Sequence, residues 1–349
     1  MSHTDRRISG FKPTGALQLG NYVGAIAPVV RGQHAQPTVV FVADLHALTV
    51  PHDPHRLREL SLQVAGLLLA AGVDPRRSVL YRQSDLPAHA ELHYLLECVA
   101  GYGEVHRMIQ FKEKGGGSGT RLSLLTYPVL MAADILLHDI AEVPVGRDQR
   151  QHVELTRDLA LRFNERYGPV FTVPRAVLPA VAARVADLAD PTAKMGKTNA
   201  STNGVLFLLD PPDVLRRKIM RAVTDAGTDV AYDPERKPGV SNLLDLLSAC
   251  TGEAPESIAP QYHSYGSLKA ATADAVIAML EPIQRRYHEL TESDIEAALE
   301  QGAERARERA DATVQRVKSA MGLSRHTVRT ARPAPAGSPA TPATAPAPR

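Results

Sequence analysis

Short apolar runs and longer segments of helical periodicity alternate along the first hundred residues. Three runs predict buried strands, at Arg7–Phe11, Thr38–Ala43 and Ser78–Arg82. Helical periodicity follows them at three places, from Gly20, over Pro54–Ala71 and from Ala88. This order predicts an α/β fold, a Rossmann-like doubly wound parallel sheet, whose ligands bind beyond the carboxyl ends of the strands. Functional side chains are therefore expected near Phe11, Ala43 and Gln83.

The pattern becomes almost wholly helical after Leu208. Four helices are predicted in this second part, over Pro211–Val223, Val240–Cys250, Leu268–Leu280 and Glu292–Met321. We therefore expect two domains: residues 1–200 form the Rossmann-like domain, with a helical insertion at about 104–140, and residues 201–330 form a helical domain. Residues 331–349 are mostly Pro, Ala, Thr and Ser, a composition that buries too little surface to offset its ordering entropy. They are expected to form a disordered tail.

Composition narrows the class of protein. The chain has 349 residues, 44% hydrophobic and 22% charged, and a net charge of +2, which is too small for a dedicated nucleic-acid-binding domain. Its two cysteines, Cys98 and Cys250, form no disulfide framework and have no zinc-type spacing. His89 and His93 lie four apart, but without a third ligand they do not make a metal motif. No apolar stretch is long enough to span a membrane, so we expect a cytoplasmic protein without a metal centre or membrane contact.

The turn after the first predicted strand is the first candidate for ligand binding. Gly15 in Pro13-Thr14-Gly15 allows a tight turn, and Gly20 and Asn21 begin the next helix. Free amide hydrogens and the dipole at a helix start attract anions such as phosphate. An ordinary strand-to-helix turn has the same composition, so this segment on its own supports either interpretation.

A second candidate is the loop Lys194-Met195-Gly196-Lys197-Thr198. Its Gly-Lys-Thr end is similar to that of a phosphate-binding P-loop, but Pro191 stands where that motif needs glycine. Two lysines three residues apart at the junction of two domains suit a mobile segment that closes over a polyphosphate and neutralises it. A solvated basic loop is the alternative. Together with the first turn, this loop predicts an ATP site.

A third candidate is the predicted helix from Tyr127 to Leu137, with Pro128 in its first turn. Tyr127, Met131 and Asp134 are spaced by four and three residues and so share one face. A carboxylate among apolar residues needs a partner, which is either an arginine or amide of the protein or a hydrogen-bond donor on a ligand. The second alternative predicts a slot for an apolar molecule with one donor, such as an aromatic amino acid.

A fourth candidate is the segment from Val143 to His152, which predicts a short strand, a glycine and a helix start. Gly146 permits close approach of the backbone to a ligand, and Asp148 is placed either to accept hydrogen bonds from a ribose or to cap the helix. His46 follows the end of the second predicted strand and is expected to line the same pocket.

These four segments, in this order, resemble class I aminoacyl-tRNA synthetases, and among them the tryptophanyl-tRNA synthetases of bacteria. Gln18-Leu19-Gly20-Asn21 stands where the family has its HIGH signature, and Lys194 to Thr198 stands where it has KMSKS. The tryptophan type is indicated by three further matches, at Tyr127 to Leu136, at Pro144-Val145-Gly146, and at Asp225 followed by Pro238 to Leu244. The resemblance covers most of the chain.

The resemblance implies three sets of site residues. ATP would be contacted by Lys12, Pro13, Thr14, Gly20, Asn21, Gly146, Arg147, Asp148, Val185, Lys194, Met195, Gly196, Lys197 and Thr198. The catalytic set would be Gln18, Lys194, Lys197 and Thr198. Asp134 would accept the indole N–H of tryptophan, in a slot completed by Tyr127, Met131, Val143 and Val145, with Gln149 and His46 close by. Gly196 and Thr198 replace both serines of KMSKS, so the closing of this loop is expected to differ.

The resemblance also implies the reaction and the partners. Tryptophan and Mg²⁺-ATP would form tryptophanyl-adenylate and pyrophosphate, and tryptophan would then pass to tRNA(Trp). The helical domain would bind the anticodon, and the protein would be a homodimer. The basic residues of the last predicted helix are candidates either for tRNA contact or for a solvated surface: Arg305, Arg307, Arg309, Arg316 and Lys318. Two other interpretations stay open, a tyrosyl-type synthetase and a catalytically idle relative that binds RNA or a protein partner.

Overall fold

The computed structural model describes residues 6–108, 119–146, 149–177, 185–196 and 202–323. Strands β1 (Arg7–Phe11), β2 (Thr38–Val42) and β3 (Ser78–Arg82) form a parallel sheet in the order β1-β2-β3. Two shorter strands, β4 (Glu142–Pro144) and β5 (Arg175–Val177), pair in parallel with each other, and β4 lies against β1. The predicted parallel sheet is confirmed. The strand order reverses at β1, and ligands of such sheets bind in the crevice at that point.

Helices connect the strands of the first part. They are α1 (Leu19–Asn21) and α2 (Ala27–Gly32), joined by a π-helical turn at Tyr22–Ile26, then α3 (Asp44–Ala47), α4 (Pro54–Ala70), α5 (Ala88–Glu97), α6 (Tyr102–His106), α7 (Leu122–Leu136) and α8 (Arg150–Tyr167). A 3-10 turn at Gln83–Asp85 follows β3. Helix α4 starts where its sequence predicts, because Asp53 accepts a hydrogen bond from the N–H of Arg56 at 2.7 Å and Pro54 occupies the first helical position.

The second part is helical, as predicted. Its helices are α9 (Pro212–Met220), α10 (Pro238–Thr251), α11 (Pro255–Ile258), α12 (Tyr265–Glu289) and α13 (Glu292–Ala320), with 3-10 turns at Thr202–Gly204 and Ala259–Gln261. Helix α12 is longer than the predicted Leu268–Leu280 segment at both ends, and Ser264 caps its start by accepting from the N–H of Ser267. Within the described ranges, no helix combines the length and the apolar character needed to cross a membrane.

The two faces of the β1-β2-β3 sheet bury different side chains. Val40 and Leu80 lie in a core shared with α4 and with helices of the second part. Phe41 and Tyr81 lie in the other core, with α5, α7 and α8. Successive residues of a strand point to opposite sides, so one short strand supplies both cores. The sheet therefore has helices on both faces, as in a doubly wound fold.

The last helix, α13, returns to the first part of the chain and packs along β3. Gly302 makes this approach possible, because a Cβ atom there would lie 1.7 Å from the carbonyl oxygen of Leu80. Arg82 also donates two hydrogen bonds to Glu296, at 2.9 and 2.6 Å. Helix α13 thus belongs to the helical layer of the sheet, although it lies within the predicted second domain. The division at residue 200 stays a prediction.

Candidate active site

A cavity of about 650 Å³ lies in the crevice between β1, β4 and α7. Its walls include many of the side chains selected from the sequence, namely Lys12, Thr14, Asn21, His46, Tyr127, Met131, Asp134, Val143, Val145, Gly146 and Gln149. These residues come from distant segments of the chain, and the carboxyl ends of the parallel strands bring them together, as expected for this fold.

Asp134 projects from α7 and is only 2% exposed. Its Oδ1 accepts hydrogen bonds from Nε2 of Gln83 and Nδ1 of His89, each at 2.7 Å, and its Oδ2 accepts one from Nε2 of His46 at 2.8 Å. Burial alone would raise the pKa of the Asp134 carboxyl, but its bonds to His46 and His89 hold that pKa well below its usual range. The side chain is therefore an ionised acceptor at neutral pH.

The two carboxylate oxygens of Asp134 differ in how many further hydrogen bonds they can accept. Each oxygen can accept about two hydrogen bonds. Oδ1 already has two donors, whereas Oδ2 has one donor among the described residues. One acceptor position on Oδ2 is thus open to a ligand in the cavity.

Helix α7 differs from its prediction at its start. It begins at Leu122, so Pro128 lies inside the helix and the prediction that it occupies the first turn is wrong. Proline removes one backbone hydrogen bond from a helix, but burial of α7 against α5 and α8 compensates, because packing supplies most of the stability of a helix. The predicted common face of Tyr127, Met131 and Asp134 is present, since all three line the cavity.

His46 lies on the short helix α3, and its backbone carbonyl is held by a hydrogen bond. The hydroxyl of Thr49 donates to the carbonyl oxygen of His46 at 2.9 Å, and Nζ of Lys12 donates to that hydroxyl at 3.1 Å. Lys12 thereby has a fixed place in the cavity wall, and its charge makes this end of the cavity attractive to an anion.

The ring of Tyr127 closes one side of the slot beside Asp134. It meets His46 edge-on, with ring centroids 6.2 Å apart. Its hydroxyl lies 2.7 Å from Nε2 of His152 on α8. Contacts on two sides fix the orientation of this ring, so the slot exists before a ligand enters.

The two predicted loops meet. Nε2 of Gln18 donates to the carbonyl oxygen of Met195 at 2.7 Å. Met195 is itself buried, and its N–H donates to the carbonyl oxygen of Val185 at 3.1 Å. Gly20 packs against Val185, because a Cβ atom on Gly20 would lie 3.7 Å from the Cβ of Val185. The beginning of the second loop, Lys194–Gly196, is therefore anchored on the first turn.

The start of α1 is less available to an anion than the sequence suggests. The N–H of Leu19 donates to the carbonyl oxygen of Leu206 at 2.8 Å, and the N–H of Asn21 donates to that of Gln18 at 2.9 Å. The side chain of Asn21 in turn accepts from the N–H of Gln18 at 3.1 Å. The expectation of free amide hydrogens is wrong for these two groups, so attraction of a phosphate depends more on lysines such as Lys12.

Several predicted ATP contacts lie outside the cavity. The described residues among them that do not line it are Pro13, Gly20, Val185, Lys194, Met195 and Gly196, together with Gln18 of the catalytic set. Four more, Arg147, Asp148, Lys197 and Thr198, lie outside the described residues. The roles of these residues in ATP binding stay predictions.

Two partners of Asp134 were not assigned to it from the sequence. Gln83 follows β3 at one of the three positions where functional side chains are expected, and this was the available signal. The spacing of His89 and His93 suggests only a metal ligand, in a motif that lacks a third residue. The ring of His89 donates to Asp134, while His93 lies 3.0 Å from Glu97, so the two histidines do not form one site.

A family model described as tRNA synthetases class I (W and Y) matches residues 3–281. The chain belongs to this synthetase family. A Tryptophan–tRNA ligase 1 from Streptomyces coelicolor is 55% identical over 326 residues, covering 91% of this chain and 97% of the relative. A Tryptophan–tRNA ligase from Listeria monocytogenes is 46% identical over 322 residues, with 91% and 97% covered.

Solved structures agree with this assignment. The tryptophanyl-tRNA synthetase of Mycoplasma pneumoniae has a TM-score of 0.84 and 36% identity, over 92% of this synthetase and 98% of that chain. The Campylobacter jejuni tryptophanyl-tRNA synthetase in complex with ADP and tryptophan has a TM-score of 0.79 and 32% identity, over 91% and 100%. A tyrosyl-tRNA synthetase from Aeropyrum pernix, at 21% identity over 85% of this chain and 89% of that one, with a TM-score of 0.64, shares the fold.

The basic residues of α13 are largely engaged within the synthetase. Arg305 donates to the carbonyl oxygens of Pro75 and Ser78, and Lys318 lies 2.8 Å from Glu91. Arg309 and Arg316 both pair with Asp139, at 3.5 and 2.9 Å. Of the predicted cluster, only Arg307 is exposed and makes no hydrogen bond or ion pair with another described residue. The charges of this helix therefore mostly pair with other parts of the protein, and the cluster gives little support to a tRNA contact.

Proposed function

We propose that this synthetase is a tryptophan–tRNA ligase. In the first step the tryptophan carboxylate attacks the α-phosphate of Mg²⁺-ATP, forming tryptophanyl-adenylate and releasing pyrophosphate. In the second step a terminal ribose hydroxyl of tRNA(Trp) takes the tryptophanyl group. The observation that carries the proposal is the open acceptor position on Asp134 Oδ2 in the cavity wall.

The slot fits an indole better than a phenol. An indole N–H donates one hydrogen bond and accepts none, which matches the single open acceptor of Asp134. A phenol oxygen also accepts hydrogen bonds, but the N–H groups of His46, His89 and Gln83 that surround the carboxylate already donate to Asp134. Met131 and Val143 supply an apolar wall for the ring.

Catalysis would depend on positioning and charge. In-line displacement at a phosphate needs no nucleophilic side chain from the protein, since the substrate carboxylate is the nucleophile. Lys12 in the cavity wall, together with Lys194 and Lys197 of the second loop, supplies positive charge for the phosphates, and Mg²⁺ arrives with ATP as part of the substrate. The anchored base of that loop supports a segment that closes on ATP.

Pyrophosphate exchange measured with one amino acid at a time tests the proposal. We expect exchange with tryptophan and a rate with tyrosine at least about 100-fold lower, because a polar site mismatched to its ligand is strongly disfavoured. Faster exchange with tyrosine would identify a tyrosyl-type enzyme. No exchange with any amino acid, with tRNA binding retained, would identify a catalytically idle relative.

We also infer that the synthetase is a homodimer. Leu48, Val50 and Leu122 are exposed apolar side chains. They lie near one another, because Arg121 donates to the carbonyl oxygens of Leu48 and Val50 at 2.9 and 3.1 Å. Such a patch suits contact with a second copy. Sedimentation equilibrium should give twice the mass of the chain, and a monomer at micromolar concentration would contradict the inference.

A further inference from the structure

Behind Asp134 lies a line of buried polar groups that does not reach the cavity. Nε2 of His89 is 2.9 Å from the hydroxyl of Tyr81, and the same hydroxyl is 2.7 Å from Nε2 of His138. His89 and Tyr81 are fully buried and His138 is 2% exposed. The four residues thus form one chain of contacts, from Asp134 through His89 and Tyr81 to His138.

The positions of the hydrogens in this line follow from what each group can donate. Asp134 is ionised and can only accept, so the proton of His89 is on Nδ1. In the tautomer that carries this single proton, Nε2 of His89 is an acceptor and the Tyr81 hydroxyl is its donor. The Tyr81 oxygen in turn accepts from Nε2 of His138. Every contact in the line then joins one donor to one acceptor.

The protonation states of Tyr81 and His138 agree with these donor and acceptor roles. Burial, followed by the charge of Asp134, raises the pKa of Tyr81 well above its usual range, so the phenol keeps its proton. Burial lowers the pKa of His138 to about 3, so that ring is neutral and has a single N–H to give.

The Tyr81 hydroxyl is the hydrogen-bond partner of Nε2 of His89 within the described part of the chain. Tyr81 lies on β3, and its ring stacks against Phe41 at a centroid distance of 6.0 Å. Phe41 also packs beside His89, with centroids 5.9 Å apart. Without the Tyr81 hydroxyl, Nε2 of His89 would lose this hydrogen bond, and a buried nitrogen without a partner is costly. The ring of His89 would then be held less firmly against Asp134.

We propose that Tyr81, supported by His138, is a positioning residue for tryptophan recognition: its hydroxyl keeps the proton of His89 on Nδ1, and His89 thereby holds Asp134 Oδ1 so that Oδ2 faces the indole N–H. This inference rests on the proposed tryptophan specificity. Tyr81 touches no substrate in this role and acts only through His89 and Asp134. The residue therefore affects selection for the indole N–H and leaves ATP binding unchanged.

The test compares tryptophan with 3-(benzothiophen-3-yl)alanine, in which sulfur replaces the indole N–H. Tyr81→Phe removes only the hydroxyl. We expect the ratio of kcat/KM for tryptophan to that for the analogue to fall about tenfold, the size of one buried hydrogen bond, while the KM for ATP stays within about twofold. His138→Leu should change the ratio in the same direction, and His138→Gln, which keeps an N–H donor, should preserve it.

The matched control is Tyr232→Phe. This change also removes a hydroxyl that donates a hydrogen bond, here to Oδ1 of Asp245 at 3.0 Å. Asp245 lies on α10, away from Asp134. It should leave the ratio unchanged. The inference is overturned if Tyr81→Phe leaves the ratio within about twofold, or if the kinetic constants for tryptophan, analogue and ATP all worsen in parallel. Absence of tryptophan-dependent exchange in the unaltered synthetase would instead remove the proposed function itself.

Discussion

Replacing Asp134 with asparagine should raise the KM for tryptophan by about 10²–10³, while the KM for ATP stays within about twofold. The change removes a charged acceptor from the indole N–H. It also removes the charge that orders His46 and His89. Asparagine has nearly the same shape as aspartate, so the cavity walls are kept and the loss is confined to hydrogen bonding.

The expected increase in the KM for tryptophan follows from the different partners of the two carboxylate oxygens of Asp134. The amide oxygen of asparagine can take the place of Oδ1, where Gln83 and His89 both donate. Its NH₂ group then takes the place of Oδ2 and meets two donors, His46 and the incoming indole. His46 can adapt by changing its tautomer, but the indole cannot. The ligand therefore faces a donor where it needs an acceptor.

Two further variants separate recognition from structure. Asp134→Ala leaves Gln83, His89 and His46 without their common acceptor, so a loss of stability is expected in addition to the loss of tryptophan binding. Asp245→Asn changes a half-buried carboxylate away from the cavity and should alter neither KM. Equal increases in the KM values for tryptophan and ATP with Asp134→Asn would show that Asp134 is only a structural carboxylate.

The central strands and long helices were predictable because their apolar patterns are long enough to be specific. The predicted bounds of β1 and β3 agree with the structure, and the predicted β2 extends one residue beyond the observed strand. Helix α4 likewise ends one residue before its predicted end. Buried parallel strands consist of continuous β-branched and aromatic runs, and α4 has both a cap and a proline at its start.

Short and irregular elements were not predictable. β5 has three residues, which is too few for a periodicity to appear, and it exists because β4 pairs with it. The start of α7 was misplaced because an interior proline normally ends or begins a helix, and only the burial of Pro128 against neighbouring helices explains the exception.

The candidate active site was likewise only partly predictable from the sequence. That Asp134 needs a partner follows from its apolar neighbours on α7, and the sequence alone supports this. Which residues satisfy it depends on the tertiary fold, since His46, Gln83 and His89 precede Asp134 by 45 to 88 positions along the chain. No local pattern near His89 indicates a carboxylate, so a metal site was the only functional alternative its spacing suggested.

Replacing Lys197 with alanine should slow adenylate formation by about 10²–10³, the usual effect of losing one donor that stabilises charge in a transition state. Lys197 itself lies outside the described residues. The residues just before it are fixed at their base, because Gln18 holds the carbonyl of Met195 and the Met195 N–H holds Val185. A loop with an anchored base and a charged end can bring that charge to the phosphates of ATP when it closes.

Single-turnover measurement of adenylate formation distinguishes this role from simple binding. If Lys197 acts on the transition state, the rate constant falls and the KM for ATP changes little; if it only attracts ATP, the KM rises and the rate constant is kept. Lys318→Ala is the control. Lys318 lies on α13, away from the cavity, and pairs with Glu91 of α5, so its replacement should leave both constants unchanged. An unaltered rate in Lys197→Ala would contradict a role of Lys197 in stabilising the transition state. The site would then depend on Lys12, whose place in the cavity wall is already fixed by Thr49.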